Sequence, residues 1–271
     1  MRIDGNKIAE KIADELIQRV GVLPHRPVLS VVMVGEDPVI EKFVGIKKKF
    51  AERVGVLVEE HRFSSDIDTD TLVNKIEDLG MDESVHGVVV QLPLPPQIDT
   101  TSVLAAIPPE KDVDVISHEK VAAFNAGMSD ILPPVVGAFK EILTHLDYSA
   151  AGKHVVIVGQ GRLVGQPAGM WFEEEGADVV RVAGRTLHIE STVHDADILV
   201  LGAGVPGLIT PEMVHSKMVI LDAGTSEAGG RLAGDADPRC VDVVHAFTPV
   251  PGGVGPITVA VLFRNLITLI G

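Results

Sequence analysis

The 271-residue chain carries 38 acidic against 23 basic side chains, a formal net charge of −15. So acidic a surface argues against nucleic acid as a partner, because phosphate binding needs a basic face. A single cysteine, Cys240, excludes an internal disulfide and fits a reducing compartment, and no apolar run reaches the roughly 18 residues of a membrane span. The N-terminus reads as a charged amphipathic helix without a signal-peptide core, so the expectation is a cytoplasmic protein with no membrane partner.

Aromatic residues make up only 4% of the chain, and Val, Ile, Leu, Ala and Gly dominate. That palette suits parallel strands buried under helices. Ile8, Ile12, Leu16 and Val20 recur at helical spacing. "PVLSVVMVG" (27–35) predicts a short buried strand, followed after the turn "EDP" by a helix, "PVIEKFVGIKKKFAERVGV", that Gly55 closes. A strand around "VLVEEHRF", a helix "DTDTLVNKIEDLG" and the aliphatic strand "VHGVVVQLPL" complete a β-α-β-α-β alternation. Such alternation predicts a mostly parallel sheet with right-handed crossovers.

Between 93 and 135 prolines accumulate (Pro93, Pro95, Pro96, Pro108, Pro109, Pro133, Pro134), which predicts turns, extended connections and a domain boundary. The helix "VVGAFKEILTHL" then leads into "GKHVVIVGQGRLVGQPAGMWFEEEGADVVRVAGRT", a strand, glycine turn, helix and strand. "ADILVLGAG" and "MVILDAG" continue the alternation, and after "TPVPGGVGPIT" the chain ends in an apolar helix, "VAVLFRNLITLI". The fold class expected is α/β in two domains: an N-terminal α/β lobe and a Rossmann-type dinucleotide-binding lobe, with the C-terminal helix returning to the first.

Gly159, Gly161 and Gly165 stand directly after the strand "HVVIV". Glycine lets the backbone turn sharply and approach a pyrophosphate, and the helix that follows offers free N–H groups and its positive dipole end. Gln160, Arg162 and Val164 complete the turn. NAD sites usually carry an acidic residue at the end of the second strand. Here that strand ends "VVRVAGRT", with Arg181, Arg185 and Thr186 and no carboxylate, so the cations favour the 2′-phosphate of NADP, with NAD as the alternative.

"KFVGIKKKF" (42–50) gathers Lys42, Lys47, Lys48 and Lys49 around aromatic residues. On a helix, Phe43, Lys47 and Phe50 share a side while the other lysines point elsewhere. Lys47 is then either a solvated charge or an amine whose pKa apolar neighbours lower into the range of proton transfer. Gln91 ends an aliphatic strand, at the edge where ligands of open α/β sheets gather. In "EKDVDV", Asp112 and Asp114 are either solvated loop acids or acceptors for the N–H groups of a nitrogen heterocycle. "PVPGGVGP" (249–256) is too rich in glycine and proline for a core, and its free backbone groups suit a pocket wall. The ten histidines show no metal-ligand spacing.

Together these stretches resemble the bifunctional methylenetetrahydrofolate dehydrogenase/cyclohydrolase family, in order and over nearly the whole chain. "FVGIKKK", "VVVQLPLP", "PPEKDVDV", "VGQGRLVGQP" and above all "TPVPGGVGPIT" carry the likeness. The resemblance implies NADP-dependent oxidation of 5,10-methylenetetrahydrofolate and hydrolysis of the methenyl product to 10-formyltetrahydrofolate. It assigns Lys47 as the cyclohydrolase lysine, Gln91 as its hydrogen-bonding partner and Asp114 as the pterin-binding carboxylate. Phe43, Pro251, Gly252 and Gly253 fall at substrate-binding positions. The cofactor would take Gly159, Gln160, Gly161, Arg162, Val164, Gly165, Arg185 and Thr186. It also implies a homodimer through the nucleotide domains, tetrahydrofolate derivatives as ligands, and domains of 1–136 (with 256–271 returning) and 137–255. The chain departs from the family pattern at Phe43 (tyrosine), Val115 (glycine), "LPPV" at 132–135 (Pro-Cys-Thr-Pro), and Gln160 and Gly161 (Arg-Ser). Two other readings use the same residues: a small-substrate NADP dehydrogenase of the shikimate type, and a degenerate homologue that binds folate or nucleotide without turnover.

Overall fold

Strand β1 (Val28–Val34) is the centre of a three-stranded parallel sheet, flanked by β2 (Leu57–Phe63) and β3 (Gly87–Val90). Six of the seven β1 residues and all four of β3 are buried, as expected of strands covered on both faces. In the computed structural model residues 1–183, 189–228 and 231–271 are described. They divide into two units, Lys11–Pro134 with Val259–Gly271, and Met1–Glu10 with Val135–Thr258.

In the first of these, the crossover from β1 to β2 is α2 (Pro38–Val54). Its start is specified locally: Asp37 accepts from Val39 N at 2.7 Å and Ile40 N, and Pro38 fills the first turn, where no N–H is needed. Gly55, at φ 83°, closes it by returning its N–H to Ala51 O. The helices α3 (Thr69–Met81) and α4 (Thr100–Ala105) bury Leu72, Ile76, Val103 and Leu104 against Val32, Val88 and Val90 of the sheet. Each such side chain contributes about 1.5–3 kcal/mol by leaving water. The proline-rich connection is more ordered than its composition suggests. It holds α4, a 3-10 turn at Pro109–Lys111 and α5 (His118–Asn125), both longer elements being short helices capped by Asp99 and Ser117.

The C-terminal helix α9 (Val254–Ile270) starts five residues earlier than its apolar run, inside the glycine–proline loop. Its later part belongs to this unit: Phe263 stacks on Phe50 with centroids 5.3 Å apart, and Leu266 lies against Gly87.

The other unit holds a five-stranded parallel sheet in the order β10 (Ala246–Phe247), β7 (Val219–Asp222), β6 (Ile198–Leu201), β4 (His154–Val158), β5 (Asp178–Val182). Helix α6 (Pro134–His145) precedes it, α7 (Gly165–Glu174) joins β4 to β5, and α8 (Ile189–His194) precedes β6. A two-stranded hairpin, β8 (Ser226–Ala228) and β9 (Arg231–Ala233), follows β7. Met1–Glu10, including the start of α1 (Gly5–Gly21), goes with this unit and not with the first lobe. The reason is backbone pairing: Arg2 bridges Phe247, and Ile3 N donates to Phe247 O at 2.8 Å.

Candidate functional site

Helical spacing sets Phe43 and Lys47 one turn apart on α2, and the structure leaves both half-buried. Lys47 Nζ donates to Gln91 Oε1 at 3.0 Å. Gln91 follows β3 directly, is 8% exposed, and is itself tied to the sheet by its N–H to Val32 O. Burial therefore lowers the Lys47 pKa from its ordinary value, and the negative charge of Asp114 opposes that shift. Lys42, Lys48 and Lys49 are exposed, and Lys48 pairs with Glu60 at 2.6 Å, so the four lysines of the cluster divide as helical geometry predicts.

Asp114 is pushed up to about 6, first by burial and then by the charge of Asp112, with Lys47 pulling it down. The loop presenting it is built around Asp112, whose Oδ2 accepts from Ile116 N at 2.9 Å and Ser117 N at 2.7 Å. Asp112 is thus a buried brace, not a solvated acid. Val115 sits at φ 56°, a left-handed conformation that a β-branched residue adopts only under constraint. That explains why this is a glycine position in the pattern the chain resembles. Two supporting residues were not singled out from sequence. Asn265 of α9 donates to Val113 O at 2.9 Å and Leu132 O at 2.8 Å, bracing the same loop. Lys111 Nζ reaches Gly80 O and Asp82 O, each at 2.7 Å, satisfying the end of α3. Sequence offers only a weak sign of either, a polar residue interrupting an apolar helix and a lysine beside the acids.

In the nucleotide unit the glycine turn has the shape its spacing requires. Gly159 has φ 96°, and a Cβ there would overlap the Gly202 carbonyl. A Cβ on Gly165 would overlap the Gly159 carbonyl, whereas Gly161 faces open space. Helix α7 begins at Gly165 behind Val164, with no side-chain cap on its first N–H groups. That is the cradle a pyrophosphate needs. Gln160 directs its amide to Ile157 O and Gly159 O at 3.3 and 3.0 Å, which fixes the turn from within. Arg162 is exposed. Arg181 is not free for a phosphate: it pairs with Glu173 and lies over Gly169, which corrects its reading as an available cation. Arg185 and Thr186 lie outside the described residues.

The loop with Pro251, Gly252 and Gly253 belongs to this same unit and follows the cis Val250–Pro251 peptide. Gly252 has φ 100°, and its carbonyl accepts from Gly5 N at 2.8 Å. A Cβ on Gly253 would lie 2.6 Å from Pro249 O, and one on Gly5 would overlap Gly253 O. Gly5 is therefore a partner of this loop that sequence reasoning passed over.

Two family models match successive parts of the chain. Residues 3–114 match the catalytic domain of tetrahydrofolate dehydrogenase/cyclohydrolase, and residues 133–270 match its NAD(P)-binding domain. The chain belongs to the tetrahydrofolate dehydrogenase/cyclohydrolase family. It is 38% identical over 269 residues to the bifunctional protein FolD of Exiguobacterium sibiricum, covering 98% of this chain and 97% of that one. Among solved structures, the FolD dehydrogenase/cyclohydrolase of Campylobacter jejuni superposes with a TM-score of 0.95 at 30% identity, covering 99% and 98% of the two chains. The Trypanosoma brucei enzyme, solved with NADP cofactor and an inhibitor, gives 0.93 at 32% identity, covering 99% and 96%. The protein is accordingly a bifunctional dehydrogenase and cyclohydrolase of one-carbon metabolism that uses a nicotinamide dinucleotide. The shikimate-type reading falls, and the reading as a binder without turnover is not the one these relatives support.

Proposed function

We propose that Lys47, Gln91 and Asp114 are the working residues of the cyclohydrolase and that the lobe bearing them binds the folate, while the lobe bearing Gly159–Gly165 binds NADP. The observation that carries this is the 3.0 Å bond from Lys47 to Gln91, made by an amine whose pKa burial lowers. The dehydrogenase step removes hydride from the methylene carbon of 5,10-methylenetetrahydrofolate. The carbocation left behind is stabilised by two nitrogen lone pairs, so no side chain has to take a proton, and catalysis is placement. Bound NADP supplies the hydride acceptor.

Hydrolysis of the methenyl product does need proton handling. Water adds to the cationic carbon, and Lys47, as the neutral amine, takes the proton that the water loses. The carbon–nitrogen bond to N5 then breaks as the carbinol oxygen becomes the formyl carbonyl: N5 receives a proton from the Lys47 ammonium, the carbinol O–H proton leaves to water, and one proton is released overall. Gln91 holds the amine and adds no second charge beside a cationic substrate. Asp114, ionised above about pH 6, accepts from the amino and ring N–H groups of the pterin. Phe43, on the Lys47 side of α2, packs against the substrate.

In the cofactor lobe, Gly159, Gln160, Gly161, Val164 and Gly165 shape the pyrophosphate site, and Arg162 with Arg185 and Thr186 meets the 2′-phosphate. NADP bound to the Trypanosoma brucei relative and the absence of an acidic residue after β5 support NADP over NAD. We also propose a cytoplasmic homodimer formed through the nucleotide lobes, its formyl product serving purine biosynthesis. Separate assays of methenyltetrahydrofolate formation and hydrolysis, with NADP and NAD, test the reading. Loss of both activities in the wild-type protein would overturn it.

A further inference from the structure

Two buried carboxylates in the nucleotide unit take no part in the chemistry above. Asp222 ends β7 and is 1% exposed, and Asp235 follows the β8–β9 hairpin and is 0% exposed. Asp222 Oδ1 accepts from Gly224 N at 2.9 Å and Asp235 N at 3.2 Å, and its Oδ2 accepts from Ala236 N at 2.9 Å. Asp235 Oδ2 accepts from Ala203 N at 2.6 Å and Gly204 N at 3.1 Å, and its Oδ1 from Val205 N at 2.8 Å. The arrangement is reciprocal. A Cβ on Gly224 would overlap the Asp235 carboxylate, and one on Gly234 would overlap that of Asp222. Each acid thus fits only because a glycine beside the other leaves room for it.

The three N–H groups that Asp235 gathers belong to the loop after β6. That loop lies directly against the glycine turn: Gly159 leaves no space for a Cβ before the Gly202 carbonyl and is close to Ala203 N, and Val164 fills the space beside Gly202. Three successive N–H groups drawn onto one buried carboxylate restrict that backbone to the conformation in which all three point at it. Asp222 in turn holds the backbone N–H of Asp235 itself.

We propose that Asp235 is a positioning residue for the dinucleotide. Anchored by Asp222, it fixes the loop 202–205 as the wall against which the Gly159–Gly165 turn is set. The inference rests on the reading of that turn as the cofactor site. Its chemistry is specific: an aspartate accepts on both oxygens, whereas an asparagine turns an N–H₂ toward at least one backbone donor.

The test compares Asp235→Asn, Gly224→Ala and Gly165→Ala with wild type. NADPH binding is followed by its fluorescence, KM and kcat by the dehydrogenase assay, and integrity of the lobe by the emission of Trp171 and by thermal melting. Asp235→Asn is expected to weaken NADPH binding and raise the NADP KM roughly ten-fold or more, with methenyltetrahydrofolate hydrolysis and Trp171 emission unchanged, because small displacements of a binding wall cost orders of magnitude. Gly224→Ala, which displaces the same carboxylate, is expected to act in the same direction. Gly165→Ala separates the two layers of the reading. If it weakens NADPH binding while Asp235→Asn and Gly224→Ala leave it at the wild-type value, the positioning role is wrong and the site stands. If Gly165→Ala leaves binding unaltered, the site is misplaced and the inference falls with it. Equal loss of cofactor binding and of Trp171 emission in both Asp235→Asn and Gly224→Ala would also overturn the proposal, showing a purely structural pair.

Discussion

Lys47 donates to the side-chain oxygen of Gln91 at 3.0 Å, and that amide is a neutral partner for an amine held partly out of water. A carboxylate in the same place would favour the ammonium and keep it protonated at neutral pH. Gln91→Glu is therefore expected to lower the hydrolysis rate at pH 7 by roughly ten-fold or more and to move its pH optimum upward. A pH–rate profile of methenyltetrahydrofolate hydrolysis checks this, and a profile that does not move would separate Gln91 from the tuning of Lys47.

Asp114 makes a prediction in which stability and activity move in opposite directions. Its carboxyl is raised from an ordinary 3.8 to about 6, so the folded chain binds a proton more tightly there than the unfolded chain. The resulting penalty is absent below the unfolded pKa, grows as pH rises toward 6, and is complete above it. Asp114→Asn is expected to stabilise the protein by about 1–3 kcal/mol at pH 8 and by nothing at low pH, measured by urea unfolding. The same variant should raise the KM for 5,10-methylenetetrahydrofolate. In the wild type that KM should rise as pH falls through about 6, as the carboxylate is lost.

The two arginines near the nucleotide lobe's glycine helix are expected to behave differently. Arg162 is exposed beside the turn, and Arg162→Ala should raise the NADP KM roughly ten-fold while leaving the NAD KM unchanged. Arg181 is tied to Glu173. Arg181→Ala should leave both KM values alone and lower stability by about 1 kcal/mol or less, as for a largely exposed pair. Steady-state kinetics with both dinucleotides distinguish the outcomes.

Phe43 shares the Lys47 side of α2, one turn away, and takes the place of a family tyrosine. Phe43→Tyr restores a hydroxyl near the amine. One added hydrogen bond is worth about 1 kcal/mol, or about five-fold in rate. The hydrolysis rate is expected to rise by that order with the dehydrogenase rate little changed, as separate assays of the two steps would show.

Much of this was legible in the chain because the signals are local. Asp37, Pro38 and Gly55 bracket α2, and once the helix exists the division of Lys47 from Lys42, Lys48 and Lys49 follows from its period. Gly159 and Gly165 were legible because a Cβ at either would strike the backbone, a demand that shows as glycine. What stayed hidden depends on partners distant in sequence. Nothing near Met1–Glu10 announces pairing with Phe247, or near Asn265 a bond to Val113. Asp112 and Asp114 looked equivalent in "EKDVDV", and only the fold makes one a buried brace and the other a carboxyl that burial raises and the charge of Lys47 lowers. The short helices at 100–105 and 118–125 were masked by the prolines around them, although Asp99 and Ser117 are ordinary N-caps.

The most direct measurement is Lys47→Met, assayed separately for formation and for hydrolysis of methenyltetrahydrofolate. Removing the amine while keeping the length of the side chain should lower hydrolysis by roughly a hundred-fold or more and leave hydride transfer within about ten-fold of wild type. Hydrolysis that continues at the wild-type rate would contradict the assignment of Lys47 as the group that moves the protons.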